Sequence, residues 1–183
     1  MNVDAHDWSE LLGSLMSIRR QETDVDVLLT TPHLPADESA LSGAEVRLGR
    51  LLDPQHRQLL ASANGWPSMT SDVTLLGAGD LGDGELWDTA SAVLDEFYAA
   101  GAPDEMPPRE ALIPVAVGVE SATVVVVWTN GPVTDDGHTV LWLFDGRGEA
   151  FDNTWKWVVA LVAREEQRNE ALHRLDTGLA QPI

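Results

Sequence analysis

One stretch of the chain has the letters of a dinucleotide-binding fingerprint. Gly77-Ala78-Gly79-Asp80-Leu81-Gly82 follows a run, Val73 to Leu76, that reads as a short strand. Such a loop would cradle a pyrophosphate on backbone amides at a helix N-terminus. The charges argue against it. Asp80, Asp83 and Glu85 put carboxylates where the phosphates would lie, Gly84 prolongs the loop so that no helix is expected to begin tightly there, and no second parallel strand follows. The stretch is read as a turn, and no cofactor is expected.

Other reactive groups are scattered. His6, His33, His56, His138 and His173 include no pair at a helical metal spacing, so no metal site is expected. The acidic pairs Asp24/Asp26 and Asp135/Asp136 have the chemistry to hold a hard cation but read more simply as solvated turns. Asp145-Gly146-Arg147-Gly148-Glu149 lacks the alternating oxygens of a calcium loop. There is no cysteine for a disulfide, a thiolate metal site or a nucleophile, and no Gly-x-Ser-x-Gly elbow. Paired carboxylates suited to glycoside hydrolysis can be drawn from thirty acids by coincidence alone. No catalytic residue is assigned. A hydrolase using Asp or Glu with His is the enzymatic alternative, and it would need a deep pocket holding a carboxylate of raised pKa.

Seven tryptophans stand against one tyrosine. Trp8, Trp128 and Trp157 fall on apolar faces and are expected in the core, whereas Trp66, Trp87 and Trp155, at a helix exit or near loops, are expected to be partly exposed. Tryptophan buries a large apolar area with few rotamers to freeze, which suits an interface anchor.

Thirty Asp and Glu against eleven Lys and Arg give a net charge of −19. That balance disfavours phosphate backbones and anionic lipid, and it attracts basic partners. The acidic start, Met1 to Glu10, does not have the form of a signal peptide, and the longest apolar run, Val124 to Trp128, falls far short of the ~20 residues a membrane span needs. A cytoplasmic, soluble protein is expected.

The elements that must position these groups are helical first and β-rich later. A helix is expected from about Ala5 to Arg20, capped by Asp4, with Trp8, Leu11, Leu12, Leu15 and Met16 as its stripe. Thr23 to Leu29 is ambiguous between helix and strand. A second helix follows Asp37 with Leu41, Ala44, Val46 and Leu48. A third is capped by Asp53, has Pro54 in its first turn and Leu59, Leu60 and Ala63 inward, and ends at Asn64-Gly65. A fourth covers about Asp88 to Ala100, with Ala92, Val93, Phe97 and Ala100 inward. Leu112 to Val119, Ala122 to Thr129 and Thr139 to Phe144 read as strands, residues 130–137 as a turn, and Glu149 to Phe151 as a short edge strand. The unbroken run Val124 to Val127 predicts a central strand covered on both faces. A last helix, about Asn153 to His173, presents Trp157, Val158, Leu161 and Val162 inward. The order predicts an α+β fold: N-terminal helices packed on a mainly antiparallel β-meander and closed by a C-terminal helix.

Three segments in this order resemble the SUKH superfamily, named for its cell-wall-regulator-like and immunity members. The first is Leu48-Gly49, Leu52-Asp53-Pro54, Leu59-Leu60 and Asn64-Gly65-Trp66; the second is Leu75-Leu76-Gly77 with Asp80-Leu81. The third is Leu112-Ile113-Pro114-Val115, a β-meander, and Phe151 through Trp157-Val158 and Leu161. His56 and Leu59 stand where the family often has an aromatic. The resemblance implies a binding module without catalytic residues, whose bacterial members often neutralise a toxin, frequently a nuclease. The expected organisation is an N-terminal helix and extension over residues 1–35, a SUKH-like domain over 36–174 and a flexible tail over 175–183.

The expectation is therefore an immunity-type protein that binds a basic toxin domain, as a monomer or weak homodimer, without nucleic acid or membrane. Trp66 and Trp87 with the acidic loop Asp80, Asp83 and Glu85 would anchor the partner, and Asp135 and Asp136 would supply rim charge. A regulatory or scaffold protein of the same fold, from a phage or mobile element, is the alternative.

Overall fold

A computed structural model describes residues 7–21, 29–118 and 121–179. Its helices are α1 (Trp8–Arg20), α2 (Glu38–Leu48), α3 (Pro54–Leu60), α4 (Glu85–Ala99) and α5 (Thr154–Leu179). Its strands are β1 (Val73–Leu75), β2 (Leu112–Gly118), β3 (Thr123–Trp128), β4 (Val133–Thr134), β5 (Gly137–His138), β6 (Val140–Phe144) and β7 (Arg147–Phe151). Five strands form one sheet in the order β1-β2-β3-β6-β7, every neighbouring pair antiparallel, and β4 and β5 pair separately. This is the expected α+β meander.

The central strand β3 shows how the layers arise. Val124 and Val126 face a core shared with Leu41 and Ala44 of α2 and Ala90 and Leu94 of α4. Val125 and Val127 face the opposite core, with Trp8, Leu12 and Leu15 of α1, Leu59 of α3, and Trp157, Val158 and Leu161 of α5. Side chains alternate across a strand, so four consecutive valines supply both cores. Pro114 is accommodated in β2 because β1 pairs only with Ala116 to Gly118, so no ladder bond from that side is asked of its missing amide.

The N-terminal part belongs to the same body. Asn169 Nδ2 of α5 donates to Ile18 O at 2.7 Å, and His33 and Ala36 amides donate to Gly65 O and Leu60 O.

Several boundaries differ from expectation for local reasons. The described part of α1 begins at Trp8, capped by Asp7, whose carboxylate accepts from the Glu10 amide. The proposed cap Asp4, and nearly all of Thr23 to Leu29, lie outside the described residues. α3 ends at Leu60, and Asn64 and Gly65 lie in the loop that follows it. α4 starts three residues earlier than expected, at Glu85, with Gly84 as its cap at φ 98°, so a helix does begin directly after the glycine-rich loop. Its buried residues are Ala90 and Leu94, whereas Ala92 and Ala100 are exposed. α5 continues to Leu179, through the first part of the expected tail. The 130–137 turn contains a hairpin.

His56 is fully buried on α3, and burial lowers its pKa to about 4 from 6.5, with the Asp53 carboxylate partly opposing the shift. The unfolded chain therefore binds a proton that the folded chain refuses between these values. This contribution to stability is complete above pH 6.5 and falls by about 3 kcal/mol as pH drops to 4. Urea unfolding at pH 7 and pH ~4.5 checks this: His56→Leu should lose clearly less stability over the interval than the parent.

Candidate functional site

Three buried side chains at the starts of two helices hold the β4–β5 hairpin. Asp53 Oδ1 accepts from the His56 amide at 2.9 Å and caps α3. Its Oδ2 accepts from the His138 amide at 2.8 Å and lies 3.0 Å from His138 Nδ1. Gln55 Nε2 donates to Asp135 O at 2.6 Å while its Oε1 accepts from the Trp155 amide at 3.0 Å. Asn153 Oδ1 accepts from the Lys156 amide at the start of α5, and its Nδ2 donates to Thr134 O, both at 2.9 Å. Gly137 is required at this junction: a Cβ there would stand 2.7 Å from Gln55 Cδ and 2.8 Å from Asn153 Cβ.

The hairpin register places Val133 opposite His138 and Thr134 opposite Gly137, leaving Asp135 and Asp136 as a two-residue turn. Both have positive φ, 49° and 63°. A primed turn demands this, and Asp tolerates it better than most side chains. Both residues are exposed, while Asp135 O is held from below by Gln55. The turn is anchored at the N-terminal ends of α3 and α5, where partial positive charge favours anions.

The second acidic loop is fixed differently. Asp80 Oδ2 accepts from the Gly77 amide at 2.7 Å, so the loop's own carboxylate takes an amide that a phosphate would need. The Ala78 amide donates to Asn64 Oδ1, and the Arg47 guanidinium of α2 donates to Ala78 O and, at 2.9 Å, to Leu81 O. Asp80 is thus half-buried and committed to the turn, while Asp83 and Glu85 are exposed. Trp87 is half-buried against the α2–α4 core.

Trp66 corrects the expectation. It is fully buried, exchanges backbone bonds with Leu75 at 3.0 Å in both directions, and donates its indole N–H to Thr30 Oγ1 at 3.1 Å. Bridging to β1 turns its ring into the core, so it cannot anchor a partner. Trp128, expected in the core, is half-buried, as is Trp155, which meets Trp8 edge-on at a centroid distance of 5.0 Å.

The segment between the two acidic loops exposes apolar side chains that sequence reasoning missed. Val46, on α2, and Leu51, in the α2–α3 loop, are each 80% exposed, and Val133 beside the acidic turn is 59% exposed. Arg47 ties this segment to the loop of Asp80 to Glu85. Arg50, donating to Thr129 Oγ1 at 2.8 Å, ties it with Asp53 and Gln55 to the hairpin side. A phase signal existed: Leu41, Ala44 and Leu48 follow helical steps of three and four, and Val46 falls off that stripe.

The Asp53–His138 pair resembles half of a catalytic triad, but Asp53 is already committed to a cap and a strand amide. No hydroxyl among the described residues bonds the His138 ring. The cavity bordered by Asp53 and His56 holds about 10 Å³, room for one water and not for a substrate. Among the described residues no group of three His, Asp or Glu is placed to hold a metal ion, and no helix is long and apolar enough to cross a membrane. The chain matches no family model and no curated protein.

Replacing Asp53 by Ala removes the α3 cap and strands the His138 amide. The expected loss is about 3 kcal/mol, the sum of a cap and a buried charged hydrogen bond, read by urea denaturation. A stability within ~0.5 kcal/mol of the parent would contradict the junction's role.

Proposed function

We propose that this chain is a protein-binding module of the immunity type, with a SUKH-like fold, which neutralises a basic toxin domain by direct binding. The observation that carries the proposal is the pair of strongly exposed apolar residues, Val46 and Leu51, on a segment tied on either side to an acidic turn. Exposed apolar side chains within a charged surround are the usual anatomy of a recognition patch, with the apolar centre holding the complex and the charges guiding it together. The net charge of −19 selects a cationic partner and opposes self-association. Asp83, Glu85, Asp135 and Asp136 are the guiding charges; Leu51 and Val46 replace Trp66 as anchors, and Trp87 keeps a secondary role. The motif order that resembles the SUKH superfamily supports the same reading. A regulatory partner would use the same surface, and the identity of the bound protein distinguishes the two.

The test is affinity purification of the full chain from its native host, followed by kinetics with the recovered partner. A basic protein that inhibits growth when expressed alone, and is silenced by this chain, is the expected partner. Leu51→Asp should weaken binding at least ~30-fold through faster dissociation. Asp135→Asn with Asp136→Asn should slow association by about three- to tenfold and flatten its salt dependence. A partner that is acidic, or one that binds Leu51→Asp unchanged, would overturn the proposal.

A further inference from the structure

The five-stranded sheet ends differently on its two sides. At β1 the edge is closed, because Trp66 exchanges backbone hydrogen bonds with Leu75 in both directions. At the other side β7 pairs with β6 alone. Asp145 and Gly146, both at positive φ, form the two-residue turn between β6 and β7, so Phe144 and Arg147 close the hairpin as a hydrogen-bonded pair. The pattern alternates from there: Arg147, Glu149 and Phe151 turn their amides and carbonyls to β6, and Gly148 and Ala150 turn theirs outward. Both residues are exposed, and no partner for those outward groups stands among the described residues.

Open edges are commonly guarded by a proline, a bulge or a covering segment. The β6–β7 register runs unbroken from Val140–Phe151 to Phe144–Arg147, with no proline and no bulge. The charged residues of β7, Arg147 and Glu149, are those whose backbone faces β6, and Glu149 is paired with Arg164.

The two faces beside this edge differ in charge. A Cβ on Gly148 would stand 3.2 Å from Leu143 Cδ2 and 3.8 Å from Met106 Sδ, so Gly148 and Ala150 point to the face covered by α4 and the 101–108 loop. Around that face stand Glu96 of α4, Asp104 and Glu105 of the loop, and Asp145 of the turn. All four are exposed, and none has an ion pair among the described residues. The opposite face carries Trp142 and Phe151 around the Arg164 guanidinium. In an antiparallel ladder, residues bonded across from Gly148 and Ala150 place their side chains on the same face as those two. A strand laid on β7 would therefore aim its bonded residues at the acidic face and the residues between them at the aromatic one.

We propose that β7 receives an extended segment of the basic protein partner as a sixth antiparallel strand. Lysine or arginine occupies the positions bonded to Gly148 and Ala150, and apolar residues lie between them. Backbone bonds hold the segment, and alternate side chains select it. The basic character of the partner rests on the proposed function; the open edge does not. A second copy of this chain would bring no cation to the acidic face, only the same four carboxylates.

The test uses the full chain and an acetylated, amidated heptapeptide of alternating valine and lysine, followed by amide NMR at physiological salt. The peptide should shift the Gly148 and Ala150 amides and slow their hydrogen exchange at least ~tenfold at saturation. N-methylation of its lysines removes the donors that face β7 and should abolish binding, whereas N-methylation of its valines, whose amides point away, should leave it. Glutamate in place of lysine should also abolish it. Ala150→Pro, which removes one outward amide and nothing from the β6 ladder, should weaken binding about fivefold. Asp104→Asn with Glu105→Gln should do the same by about the same factor without touching the backbone. Equal binding of the two N-methylated peptides, or shifts elsewhere while Gly148 and Ala150 stay unmoved, would overturn the proposal. So would a chain that sediments as a dimer and is made monomeric by Ala150→Pro, since a second copy would then hold the edge. Either result leaves the proposed function standing if the native partner is basic and loses affinity for Leu51→Asp. If the partner ignores Leu51→Asp while the peptide binds β7 as described, the edge site stands and the recognition surface falls.

Discussion

The Asp53 carboxylate is almost completely withdrawn from water, and an isolated buried charge of this kind costs several kcal/mol. It is tolerable only because three donors converge on it: the His56 amide, the His138 amide and the His138 ring. Everything at that end of the molecule follows from this constraint. The hairpin cannot lift away without leaving the carboxylate unsatisfied, and α3 cannot fray without giving up its cap. Gln55 and Asn153 extend the junction to the start of α5, so residues far apart in sequence are bonded into one unit.

That unit explains how a chain with so large an excess of acids can present charge in a defined place. Mutual repulsion would tend to spread exposed carboxylates and loosen the loops that carry them. Here the hairpin backbone is held at Thr134 O, Asp135 O and the His138 amide by Asn153, Gln55 and Asp53, while Asp135 and Asp136 are exposed. The Asp80 loop uses a different device, Arg47 across its carbonyls and Asp80 folded back onto Gly77. In both cases the conformation is fixed within the chain itself, which would lower the ordering cost of binding at either loop.

Much of the fold was legible because its signals are local. The capping residues Asp37 and Asp53, Pro54 at the start of α3, and the four-valine run of β3 each act within a few residues of themselves. The junction was legible only in half: Asp53 could be read as a cap, but its bonds to His138 cross 85 positions. The same limit misplaced Trp66. A tryptophan after a helix-ending glycine looks exposed until a strand from further along the chain bonds to it and turns it inward. In sequence Gly84 prolongs the glycine-rich loop, yet its positive φ is what lets it serve as the cap from which α4 begins. The acidic residues Asp135 and Asp136 were picked out by charge; the apolar residues Val46 and Leu51 were absorbed into helix and loop patterns, and only the three-dimensional arrangement exposes them.

If the buried polar junction acts as one unit, it holds the acidic hairpin as firmly as the sheet holds its strands. Native-state hydrogen exchange at the His138 and Trp155 amides tests it most directly, since those protons are the ones given to Asp53 and Gln55. Both amides should be protected nearly as strongly as those of β3, exchanging only through global unfolding. Exchange at both sites on the fast timescale of open surface loops would instead show a hairpin resting loosely on the fold, with no rigid junction beneath it.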